Sequence, residues 1–287
     1  MILVSGGTGR LGTLVVRRLT ERGLSVRVLT RDRARAQHLV GDLVEVVEGD
    51  VRDQAAVSSA SDGATLVVSA MHGFIGPRGV SPATIDRDGN VSLIDAARAA
   101  GADFVLVSVL GAAADSPMEL FRMKHAAERY LHSSGVRATI VRPAAFLETW
   151  TELLRQTASR SGRPLVFGNG DNPINFVSAI DVAAVVERAV TDPSTRGSTL
   201  EIGGPENLTL NQVALAVQAA AARTSAPRHV PPILLRLAAQ TAGRVHPMVG
   251  RQVRAALAMD TTDLSAAPSA IRQTYPGIPS TTLEMCL

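Results

Sequence analysis

The chain has 287 residues, is 46% hydrophobic and carries a formal net charge of +3, enough apolar material for one large domain or two closely packed ones. No apolar run is long enough to span a bilayer, and the scattered basic residues with only 3% aromatics argue against a nucleic-acid partner despite a pI of about 9.7. The single cysteine, Cys286, excludes an intramolecular disulfide, and the β-rich run from Ile2 leaves no room for a leader, so a reducing cytoplasm is the expected compartment.

The first half alternates β-rich runs with helical patterns. Residues 2–5 read as a strand, 10–22 as a helix with Leu11, Leu14, Val15 and Leu19 on one stripe, and 26–29 as the next strand. Residues 33–40 read as a helix, 44–47 as a strand, 54–60 as a short helix and 65–70 as a strand. A helix over 85–100 is closed by Gly101, then come a strand at 104–109, a helix at 117–133 and a strand at 139–141. This βαβα rhythm predicts an α/β fold, a Rossmann doubly wound parallel sheet with helices on both faces.

After Pro143 the rhythm weakens. Residues 147–160 read as a helix, 167–173 as a Gly/Asn/Pro-rich loop, 175–177 as a strand and 180–190 as a helix. Residues 199–202 form a strand able to rejoin the sheet, 209–221 a helix, and the rest reads as helical with many prolines. The expected division is a Rossmann domain over 1–145, with a strand and helix returning at about 175–203. Residues 146–174 and 204–287 are then a smaller, mainly helical cap that receives substrate.

Between the first strand and the first helix stands Gly6-Gly7-Thr8-Gly9-Arg10-Leu11-Gly12. Glycines there allow a tight turn and close backbone approach to a pyrophosphate, and the helix start supplies free N–H groups and a positive dipole end. Gly6, Thr8, Gly9, Arg10, Leu11 and Gly12 are therefore candidate contacts of a dinucleotide. A carboxylate after the second strand would accept the ribose 2′-OH of NAD. The sequence offers Leu29-Thr30-Arg31-Asp32-Arg33-Ala34-Arg35 instead. Arg31 favours a 2′-phosphate, so the expected cofactor is NADPH, with NADH the lesser choice. Asp32 is the competing feature, since a turn shifted by one residue would let it serve NAD.

The order and spacing of several pieces resemble the atypical short-chain dehydrogenase/reductase family, in its NmrA-like branch. The pieces are residues 6–12, Gly49-Asp50-Val51, Val107-Ser108 with Gly111, Lys124-His125-Ala126-Ala127-Glu128 with Ser134-Gly135, Val141-Arg142-Pro143, Phe176-Val177 with Asp181-Val182-Ala183, and Ile202-Gly203-Gly204-Pro205. The resemblance implies that Asp50 faces the adenine with Val51 beside it. It also implies that Ala70 and Met71 line the ribose side and that Pro143 lies near the nicotinamide. One departure stands out. Active members of the wider family pair a tyrosine with a lysine four residues later, and here Leu120 precedes Lys124 at that distance. The segment Ser108-Val109-Leu110-Gly111 also lacks the usual deeper serine or threonine, and Tyr130 lies on the wrong side of Lys124.

Lys124 is the only lysine; every other cation of the Lys/Arg set is arginine. It falls in phase with Leu120, Ala127 and Leu131, so it points inward, where it can bond the nicotinamide ribose or move a proton. The bland alternative is a snorkelling lysine paired with Glu128 one turn on. The helix carrying it is expected to start at a capping box, Ser116-Pro117-Met118-Glu119. His72 is the second catalytic candidate, because residues 70–79 follow the fourth strand over the nicotinamide end. Phe74 and Ile75 would form an apolar lid, and Arg78 would hold an anionic substrate. His125 projects about 100° away from Lys124 and ranks lower. The remaining histidines form no ligand spacing, so no metal is expected.

The leading expectation is an NADPH-dependent oxidoreductase that reduces a small, apolar carbonyl, enone or quinone by hydride transfer. A non-catalytic NADP(H)-sensing regulator of NmrA type is the alternative that the missing tyrosine favours. A sugar-nucleotide epimerase or dehydratase is disfavoured for want of an acid–base pair. The expected partner is a small molecule, with no nucleic acid and no membrane; an oligomer is compatible with the sequence.

Overall fold

Short β-branched runs follow one another at the spacing of parallel strands. The strands are β1 (Ile2–Ser5), β2 (Val26–Thr30), β3 (Val44–Glu48), β4 (Leu66–Ser69), β5 (Asp103–Val107) and β6 (Ala138–Pro143). At the centre, β1 and β4 are buried on both faces, whereas the edge strand β3 is only partly covered. The computed structural model describes residues 1–76, 79–267 and 270–287, leaving aside the side chains of 241–245 and 247. With Thr199–Ile202 at one edge, these strands form a seven-stranded sheet whose remaining order is β6-β5-β4-β1-β2-β3. Every pairing among β1 to β6 is parallel, with Ile2 opposite both Val26 and Leu66. Strand order reverses between β1 and β4. That is the topological switch point, where ligands of open α/β sheets bind at the carboxyl ends of the strands.

Helices cover both faces of this sheet. On one side, Tyr130 of α4 (Glu119–Ser133) donates to Asp95 Oδ1 of α3 (Asn90–Ala100) at 2.8 Å, and α2 (Gln54–Ser61) packs against α3. On the other, Arg18 and Arg22 of α1 (Arg10–Glu21) both pair with Glu187, which lies on the helix Ala179–Thr191. The core beneath α2, α3 and α4 is built from Leu3, Val67, Leu93, Phe104, Leu106 and Leu131, all at most 1% exposed.

By internal packing the chain forms two units, Met1–Pro143 with Val182–Glu201, and Ala144–Asp181 with Ile202–Leu287. In the second unit, β7 (Ala145–Phe146) leads into α5 (Leu147–Ser161) and β8 (Leu165–Phe167), followed by β9 (Ile174–Val177); α6 (Ala179–Thr191) starts in this unit and continues in the first. After β10 (Thr199–Ile202) come β11 (Asn207–Leu208), α7 (Leu210–Ala220), β12 (Arg228–Val230), α8 (Pro232–Val245) and α9 (Pro247–Thr261). The strands of this unit form two small sheets, β11-β9-β7 and β12-β8. Buried Asp181 gathers the C-terminal segment: it accepts from Thr281 Oγ1 at 2.5 Å, Thr281 N at 3.0 Å and Arg272 at 2.9 Å.

Four expectations need correction. Residues 33–40 do not form an α-helix; Arg33–Leu39 is a 3-10 helix, started by Asp32 accepting from Ala34 N at 2.9 Å. The helix expected over 85–100 is two pieces, a π-helix at Pro82–Gly89 and then α3. A true capping box at Ser81 and Thr84, with Pro82 first in the helix, moves the start upstream. The capping box expected at Ser116 does not form. Helix α4 starts after Met118 without a side-chain cap, and Ser116 Oγ accepts from Met118 N at 3.2 Å instead. Residues beyond 221 are not all helical, since β12 pairs with β8.

Candidate active site

The turn from β1 to α1 shows why glycine is needed there. Gly6 has φ +83°, and a Cβ on it would stand 2.6 Å from the Ala70 carbonyl oxygen. A Cβ on Gly12 would meet Gly6 O at 2.1 Å. Both close approaches knit the turn to the ends of β1 and β4. Gly9 is different: its Cβ position meets only Gly6 O, at 3.3 Å. Gly9 is also the N-cap of α1, without a side-chain cap and without an acidic residue in the first turn. The first N–H groups of the helix are thus left for an anion. Thr8 is half-buried, Arg10 exposed and Leu11 buried.

Arg31 follows β2, is exposed, and has no hydrogen bond or ion pair among the described residues. Asp32 is committed to capping Ala34 N. Asp50 does not cap α2; Asp53 does, accepting from Ala55 N and Ala56 N. Asp50 instead grips Arg52 at 2.5 and 2.9 Å. The side-chain hydrogen bonds from Arg52 hold its carboxyl below the ordinary value, and Arg31 adds to the effect. Val51 is buried and faces the Cα of Gly89, where a Cβ would approach it to 2.9 Å. Ala70 continues the ladder, its N–H donating to Ser5 O at 2.9 Å. Pro143 ends β6 and accepts from Leu110 N at 2.8 Å.

Lys124 points inward and its side chain is 4% exposed. Its Nζ donates to Met71 O and to Val107 O, both at 2.9 Å, and lies 3.0 Å from Asp86 Oδ1. The last contact neutralises charge without the alignment of a hydrogen bond. The other oxygen, Asp86 Oδ2, accepts from Gly73 N at 2.8 Å. Asn90 donates to Asp86 O at 2.7 Å and accepts from Ser69 Oγ at 2.6 Å. Ser69, Asp86 and Asn90 are fully buried. Glu128 is not the partner of Lys124: it binds Arg142 through both oxygens, at 2.6 and 2.9 Å.

His72 lies between Met71 and Gly73, the two residues this network holds, and its side chain keeps access to solvent. Loss of hydration among crowding protein atoms pushes its pKa below the ordinary histidine value; Asp86 opposes the shift and Lys124 reinforces it. Phe74 is half-buried and Ile75 is 58% exposed, while Arg78 lies outside the described residues. Ser108, directly after β5, is buried with its Oγ unpartnered. Sequence reading missed Asp86, Asn90 and Ser69. The signal was present, because Asp86 and Asn90 fall in helical phase with buried Leu93 and Ala97. Among the described residues, no three His, Cys, Asp or Glu side chains gather as metal ligands. Among the described residues, no helix is long and apolar enough to cross a membrane.

Comparison with known proteins agrees with this architecture. The NmrA-like family model matches residues 1–250. The NAD(P)H azoreductase of Xenophilus azovorans is 33% identical over 225 residues, spanning 78% of this chain and 74% of that protein. Quinone oxidoreductase 2 of Escherichia coli (strain K12) is 28% identical over 216 residues, spanning 75% and 72%. Among solved structures, the Escherichia coli NADPH-dependent quinone oxidoreductase complexed with NADPH superposes with a TM-score of 0.80 at 24% identity, covering 99% of this chain and 97% of that one. The Citrobacter sp. triphenylmethane reductase complexed with NADP(H) gives 0.79 at 18% identity, covering 99% and 98%. A family match across most of the chain, on a parallel sheet with this glycine turn at its switch point, has one reading: the chain belongs to the NmrA-like family of atypical short-chain dehydrogenases/reductases.

Proposed function

We propose that this protein is an NADPH-dependent reductase of small, apolar carbonyl, enone or quinone substrates, with quinones the foremost class. Its being a nicotinamide-dependent oxidoreductase agrees with relatives named as azoreductase and quinone oxidoreductase. The observation that carries the reading is the start of α1 behind Gly9, which has no side-chain cap and no acidic residue in its first turn, so that its first N–H groups are left for an anion. A pyrophosphate fits that cradle, with contacts from Gly6, Thr8, Gly9, Arg10, Leu11 and Gly12. Arg31, unengaged and beside the turn, would take the 2′-phosphate. Asp50, Val51, Ala70, Met71 and Pro143 would follow the cofactor along the strand ends, and the buried hydroxyl of Ser108 offers one more polar contact there.

Bound NADPH would supply the hydride. The protein's own task is then to seat the acceptor and deliver a proton to the oxygen that gains charge. A tyrosine acid is absent, since Leu120 stands at its place. An acceptor whose reduced anion is already delocalised, as in a quinone, needs only a weak acid, and His72 is the exposed group in position to be one. The division of labour follows from the same reading, with the expected return at about 175–203 shortened because β9 pairs with β7 and β11: Met1–Pro143 with Val182–Glu201 would bind the cofactor, and Ala144–Asp181 with Ile202–Leu287 would receive substrate.

The test is a titration with NADPH and NADH, followed by steady-state turnover on a panel of quinones, enones and aldehydes. Tighter NADPH binding with turnover of quinones is expected. Binding without turnover of any acceptor would return the protein to the sensor class. No binding of either nucleotide would refute the site.

A further inference from the structure

We propose that Asp86 and Lys124 form a buried clamp that positions His72 by holding the backbone on either side of it, so that Lys124 acts through the clamp rather than on substrate. The inference rests on the reading of His72 as the group that meets substrate. Lys124 Nζ holds the carbonyl of Met71, the residue before His72. Asp86 Oδ2 holds the amide of Gly73, the residue after it. The two charges face each other across 3.0 Å with side chains 4% and 0% exposed. A third anchor, Val107 O, ties the lysine to the end of β5. Asn90 and Ser69 in turn fix Asp86 to β4.

A buried ion pair adds little net stability, because desolvation offsets the attraction, but it can specify one local geometry. Here that geometry belongs to a loop residue whose two neighbours are the ones the pair holds. The compact ammonium fits between two carbonyls and a carboxylate, where a planar guanidinium would not. That explains why a chain rich in arginine keeps its one lysine at this point. The π-helix that carries Asp86 is a rare element concentrated at functional sites.

The clamp and a catalytic Lys124 make opposite predictions for Asp86→Asn, which leaves the lysine in place. Turnover of 1,4-naphthoquinone should fall about 10-fold or more, the range of a misplaced acid–base group. NADPH affinity, read by fluorescence, should fall far less than turnover, about 2-fold, since the glycine loop keeps its contacts and Lys124, left in place, keeps its bond to Met71 O. The loss should not multiply with that of His72→Gln: the double variant should be no slower than His72→Gln alone. Among the described residues, Asp86 and Lys124 are the charged groups that act on His72, so removing the carboxylate should also move the pH limb of kcat to lower pH. Wild-type turnover in Asp86→Asn, with His72→Gln impaired, overturns the clamp alone. Wild-type turnover in His72→Gln overturns the reading of His72 and the clamp with it. A measurement on the unaltered protein guards against a variant that fails to fold. The Gly73 amide should be protected from hydrogen exchange, and its free exchange would refute the clamp.

Discussion

Arg31→Ala isolates the group expected to choose between the two nicotinamide cofactors. Arg31 is exposed and bound to nothing among the described residues, so its removal should leave stability within about 0.5 kcal/mol. A hydrogen bond to a charged group contributes about 1.5–3 kcal/mol when desolvated. Solvent screening at this open turn brings the expected value to about 1–2 kcal/mol, or roughly 5- to 30-fold in affinity. The whole loss should fall on NADPH, because NADH has no 2′-phosphate to lose. The quantity to measure is the ratio of the two dissociation constants by titration calorimetry, in wild type and variant, at about 0.1 M and about 1 M salt, where the screening length falls from about 10 Å to 3 Å. The wild-type ratio should shrink at high salt and that of the variant should hardly respond. Asp32 should not replace the lost preference with one for NADH, since its carboxylate caps Ala34 N. An unchanged ratio in Arg31→Ala, or equal wild-type affinities for both cofactors, would refute the assignment.

Gly9→Val should abolish nucleotide binding while the far-UV spectrum is kept, whereas Gly12→Ala, with its Cβ 2.1 Å from Gly6 O, should fail to give folded protein; retained binding in Gly9→Val would move the phosphates elsewhere. Turnover should rise as pH falls, with an inflection below 6.5, because desolvation depresses the His72 pKa and the protonated ring is the donor; His72→Gln should flatten that limb. The same depression has a stability sign: the neutral ring is favoured in the fold, so a small stabilisation present above the ordinary histidine value is lost as pH falls through the lowered one. Arg142→Leu strands the Glu128 carboxylate, 3% exposed, and should cost about 3–5 kcal/mol in denaturant unfolding, with much of it recovered by adding Glu128→Leu.

The sheet and its order of elements were legible because the central strands β1 and β4 are buried on both faces and read as apolar runs, and the others keep enough Val, Ile and Leu between turn signals to be read as strands. The glycine turn was legible because Gly6 and Gly12 obey steric demands that leave no other residue. Boundaries failed where local polar chemistry outweighed periodicity. Asp32 accepting from Ala34 N turned an expected α-helix into a 3-10 segment, and Ser81 with Thr84 set a helix start that the apolar pattern placed at Ile85. The inward phase of Lys124 was readable from Ala127 and Leu131, but its partners were not. Met71, Asp86 and Val107 come from three elements, and main-chain carbonyls carry no residue-type signal. Glu128 was the nearest carboxylate along the helix, yet Arg142 on β6 reaches it with two bonds.

The chain's one lysine side chain is 4% exposed, so its ε-amine offers almost nothing to amine chemistry while folded. Acetylation or ubiquitination of a lysine has no surface target within the chain. The same scarcity makes Lys124 a clean reporter. An amine-reactive reagent can reach that nitrogen only when the segment around Met71 and Gly73 parts from α4, so the rate of modification at Lys124 counts local openings of the site. Nucleotide that steadies this segment would slow the label.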